Sequence, residues 1–76
     1  MHVSYDRDAN VAYIRLARKA GRVRTIRVSE DVNVDVAADG SVYGIELLDA
    51  KSQLGSRRKI TLRDKASGRR AELLVT

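Results

Sequence analysis

Three groups of residues in this 76-residue chain are of types that do chemistry. The first is Asp6, Asp8 and Asn10, spaced like the opening of a calcium loop. That loop needs glycine at its sixth position and a bidentate glutamate at its twelfth. Val11 and Ala17 stand there instead, so the segment reads as an Asx-rich turn whose side chains bond their own backbone. The second group is Asp35 and Glu46. If 32–48 forms a hairpin, both fall on one outer face, diagonally near each other. Paired carboxylates perform acid–base work when burial separates their pKa values. With no apolar pocket in the pattern around them, a solvated face or an oligomer contact is the reading preferred. His2 has no nucleophile or acid at a suggestive spacing. No phosphate-loop glycine motif is present.

The third group is basic. Arg57, Arg58, Lys59, Arg69 and Arg70 crowd the C-terminal third. Such residues bind phosphates in a salt-sensitive, sequence-independent way, or pair with an acidic protein. The only aromatic residues are Tyr5, Tyr13 and Tyr43, a poor supply for a base-stacking platform. The bland alternative is a solubilising surface partly paired to acids. Charge is blocked along the chain: 15–27 holds only bases, 28–50 only acids, and 51–76 is again basic, for a net +5. The acidic block can pair with one basic block, within or between chains, leaving the other free.

These residues need elements to hold them. Val32, Val34 and Val36 alternate with Asn33 and Asp35, the period-2 signature of a half-buried strand. Asp39-Gly40 marks a turn, with Gly40 at positive φ, and a second strand follows. An even-numbered loop sets Val36 opposite Tyr43, Val34 opposite Ile45 and Val32 opposite Leu47, all on one face. A one-residue slip would turn one strand over, so burial selects this register. Before the hairpin, residues 1–5, 11–16 and 22–29 read as strands. Val3 and Tyr5 can share the core face with Ala12, Ile14 and Leu16, leaving Tyr13 outside; the opposite assignment fits the periodicity too. Asp49 is an N-cap candidate for one helical turn at 50–54, stopped by Gly55. Residues 57–63 and 71–75 read as a second hairpin, although 71–75 also fits a helix.

The segments YDRDANVAYIRL and VNVDVAADGSVYGIELLDA resemble the small bacterial proteins grouped as domain-of-unknown-function family 2283. The resemblance covers about residues 1–54 and implies a compact, sheet-rich domain. It brings no catalytic residues, and only a loose association with toxin–antitoxin gene pairs. The basic 55–76 extension lies outside the shared pattern.

The expectation is therefore a single domain, mainly β: a small antiparallel sheet of hairpins with one short helix. Residues 1–54 form a β-meander core, and 55–76 a basic hairpin extension. With no cysteine, one histidine and a short chain, neither disulfide nor metal can reinforce the core, and oligomerisation is the usual substitute. No cofactor or metal is expected. No apolar run reaches the ~20 residues of a membrane span, and no signal peptide is evident, so the cytoplasm is the default. The function expected is a non-enzymatic homodimeric module for macromolecular contact. Tyr13, Leu73 and Val75 are its candidate oligomer contacts. Nucleic-acid binding through the basic tail and an antitoxin-like role are the alternatives.

Overall fold

The computed structural model describes residues 1–18, 21–55, 59–63 and 65–74, without the side chains of Ile60 and Leu73. Seven strands and one helix follow in the order β1 (His2–Asp6), β2 (Val11–Arg15), β3 (Val23–Ser29), β4 (Val32–Ala37), β5 (Val42–Leu47), α1 (Ala50–Leu54), β6 (Lys59–Arg63) and β7 (Arg70–Leu74). The first five build one antiparallel sheet in the order β1-β2-β5-β4-β3; β6 and β7 form a separate hairpin, with β7 running beside β1. The chain is thus mainly β, and 71–74 is strand rather than helix. No helix among the described residues is long and apolar enough to cross a membrane.

The core of the main hairpin keeps the register that burial demands: Val34 faces Ile45 and Val32 faces Leu47. The turn differs. Ala37 N–H bonds Ser41 C=O at 2.8 Å and Gly40 N–H bonds Ala37 C=O at 2.9 Å, so three residues form the loop, with Gly40 at φ 89°. An odd loop shifts pairing by one, and Val36 meets Val42 rather than Tyr43. Tyr43 is then the extra residue of a bulge that restores the expected pairing from Asp35–Gly44 onward. Two one-residue offsets cancel. The Tyr43 carbonyl is not wasted: it accepts from Leu16 N–H at 2.8 Å and terminates β2.

The first hairpin settles the open choice of faces. Val3 pairs with Ile14 and Tyr5 with Ala12, and both Val3 and Tyr5 pack on the buried cluster of Ala12, Ala50 and Leu54. Helix α1 lies over this corner of the sheet. Gly55, at φ 64°, ends it by donating to the Lys51 and Ser52 carbonyls.

The start of the helix corrects the sequence reading. Asp49 occupies the N-cap position but lies in the left-handed region at φ 48°, and its side chain makes no capping bond. The cap comes from Asn10, 41 positions before Lys51. Its carbonyl accepts from Ala50 N–H at 3.0 Å and its Oδ1 from Lys51 N–H at 3.0 Å. The same Oδ1 accepts from the Tyr5 hydroxyl at 2.9 Å, while Nδ2 donates to Asp49 at 3.0 Å. Asn10 itself sits at φ 56°, a conformation asparagine tolerates better than most residues. Asn10→Ala removes the cap, frees Tyr5 and strains the turn. We expect a loss of about 2 kcal/mol in chemical denaturation, at the upper end for a cap residue. Asp49→Ala is expected to lose less than half of that.

Candidate functional site

Alternation sends Tyr13 (β2), Gly44 and Glu46 (β5), Asn33 and Asp35 (β4) and Thr25 (β3) to the outer face of the sheet. This face is not simply wet. The Tyr13 ring crosses over Gly44, where no side chain blocks it, and its hydroxyl donates to Asp35 Oδ2 at 2.6 Å. Thr25 donates to the other oxygen, Oδ1, at 2.6 Å. Asn33 Nδ2 donates to Glu46 Oε1 at 3.0 Å. Asp35 and Glu46 lie on one face, but each is held by a neutral donor rather than by the other. Burial, and then the hydrogen bond and charge of Asp35, hold the Tyr13 hydroxyl well above its ordinary range. At neutral pH it is therefore a donor. The arrangement locks four adjacent strands together.

The Asp6 turn reads as a local structure. Asp6 Oδ1 accepts from the N–H groups of Asp8 and Ala9, and Asn10 faces the helix. No metal-holding cluster is present among the described residues.

The inner face is apolar. One row, Val3–Ile14–Ile45–Val34–Ile26, runs unbroken across all five strands. Only the neighbouring corner near Ala12 lies under the helix. Among the described residues, Ala12, Ala50 and Leu54 are the buried apolar side chains; Ile26 and Leu16 remain 41% and 43% exposed.

Of the basic residues, Lys59 and the Arg69–Arg70 pair stand at opposite ends of the β6–β7 hairpin. Lys59, on β6, pairs with Glu72 at 3.1 Å. Arg70 starts β7 opposite Arg63, and Arg69 precedes it. Arg57, Arg58 and Val75 lie outside the described residues, as does the Leu73 side chain; the Leu73 backbone pairs with Ile60. Tyr13 is half-buried, its hydroxyl taken by Asp35. Among the described residues no ion pair joins the acidic block to a basic one. Asp35 and Glu46 are met by Tyr13, Thr25 and Asn33 instead.

The fold also brings together cations the sequence reading left apart. Arg15 and Arg18, from the end of β2, and Arg69, from the second hairpin, line a cleft of about 300 Å³ with His2 and Leu16. Arg63 lines its continuation, which shares Leu16 and Arg69. The signal for Arg15 and Arg18 was the all-basic run 15–27; what it could not supply was their distance from Arg69.

The family model described as Protein of unknown function (DUF2283) matches residues 2–51, the whole of the main sheet and the first residues of α1. The chain belongs to that family. No curated protein and no solved structure matches the chain.

Proposed function

We propose that this member of the DUF2283 family works as a non-enzymatic homodimeric module, two copies stacking their apolar sheet faces, and serves macromolecular contact. The observation that carries this reading is the apolar row from Val3 to Ile26: beyond Val3, which packs at the helix corner, the described residues leave it half-buried or, at Ile26, exposed. Stable domains bury a sheet face against a second layer. Among the described residues that layer is the single turn of α1 at one corner, and the molecule is a slab of 36 × 30 × 18 Å.

Area supports the same conclusion. The chain has 5597 Å² of accessible surface, about 1,000 Å² beyond the roughly 4,600 Å² usual for a compact monomer of its mass. The excess is comparable to the ~800 Å² each partner contributes to a standard interface. A face is favoured over an edge. The free edge strand β3 carries Arg24 and Arg27, charges of the kind that discourage edge pairing. Tyr13, whose hydroxyl is satisfied within the chain, is not needed for this contact.

Sedimentation equilibrium across micromolar concentrations tests the proposal. A mass of two chains is expected. A single-chain mass throughout the range overturns it.

A further inference from the structure

We infer that the cleft between the end of β2 and the β6–β7 hairpin is a binding site for the phosphate backbone of a nucleic acid, held by Arg15, Arg18, Arg63 and Arg69. The two lining sets share Leu16 and Arg69, so the four arginines border one continuous depression. Among the described residues neither set contains an acid. Among the described residues no carboxylate pairs with any of the four, although the chain does neutralise Lys59 with Glu72. Four like charges brought together with no described carboxylate among them repel one another, and an anion in the cleft relieves this.

The chemistry of the lining selects the anion. All four cations are guanidinium groups, whose planar forks fit phosphate oxygens two at a time. A protein partner would need an apolar or aromatic anchor at the centre of the contact. Among the described residues, Leu16 and Met1 are the only sizeable apolar groups lining the cleft. None of the three tyrosines lines it, so bases find no ring to stack on. The contact is therefore to backbone, without sequence preference, and a duplex suits it. The overall charge of +5 adds attraction at longer range.

Fluorescence anisotropy with a labelled DNA duplex of arbitrary sequence tests the site. Four phosphate contacts give a slope of log affinity against log salt near −3.6, about a 100-fold loss between 50 and 200 mM salt. Arg63→Gln combined with Arg69→Gln should lower that slope by about two, with unchanged melting, since both side chains are exposed. Arg7→Gln combined with Arg27→Gln removes the same charge away from the cleft, and should leave the slope nearly intact. Equal loss from both pairs, or no binding at 50 mM salt, overturns the site. Displacement of the duplex by polyglutamate at matched charge concentration would assign the cleft to acidic protein and overturn it as well.

Discussion

Gly44→Ala is expected to destabilise the protein by about 2 kcal/mol, near 10 °C in melting temperature for a domain this small. The reason is not the turn chemistry usually argued for glycine. Gly44 is fully buried beneath the Tyr13 ring, and a methyl at its Cβ would stand 2.5 Å from Tyr13 Cζ. The ring must swing away. It then gives up its bond to Asp35, and a half-buried carboxylate keeps Thr25 as its one donor from this network. A double-mutant cycle isolates this cause. In a Tyr13→Ala background the same Gly44→Ala change should cost nothing, or stabilise slightly, because alanine suits a strand better than glycine. An equal cost in both backgrounds would refute the account.

The same bond predicts a response to alkali. The Tyr13 hydroxyl is raised above its ordinary value of 10.0, burial contributing first and Asp35 next. A group whose folded pKa is raised binds its proton more tightly in the native state. Its contribution is complete below pH 10 and drains away as the pH climbs above that value. Melting temperature should therefore fall more between pH 9 and about 11 in the parent than in Tyr13→Phe, which has no such proton to lose.

Which of these features the sequence discloses depends on how far apart the cooperating residues lie. The alternation of Val32, Val34 and Val36 with polar residues places them on one face, and the pairing of Val34 with Ile45 follows from burial alone. The three-residue loop at Gly40 was hidden because Tyr43 bulges in compensation, and the two offsets leave the same valine register. Asp49 stands at the right place to cap α1, and a local rule assigns it that role. The rule fails because Asn10, distant in sequence, reaches the same N–H groups first. Tyr13 and Asp35 likewise lie on strands separated by a third, and only the absent side chain of Gly44 lets them meet. The arginine cleft is tertiary in the same sense: it joins two basic blocks that charge pairing would have kept apart.

On the proposed dimer, Ile45→Asp should have the largest effect of all, acting through the second copy. Within one chain Ile45 is half-buried, at the middle of the row that crosses five strands. In two stacked sheets it is enclosed, and an unpaired carboxylate there costs several kcal/mol. A domain with so small a margin cannot absorb that and keep the proposed contact. The parent should melt higher as it is concentrated, because association draws on the folded form alone. Ile45→Asp should lose both the double mass and that concentration dependence, and unfold at much lower temperature. Should it fail to fold, Ile26→Asp keeps the question open to measurement. Ile26 is 41% exposed on an edge strand, so the isolated chain tolerates the charge, yet the stacked face does not. It should sediment as a folded single chain. Ser4→Asp, exposed on the opposite face, should keep the double mass and the parent's melting behaviour. If Ile26→Asp retained the double mass, the copies would have to meet elsewhere, and the apolar row would need another explanation.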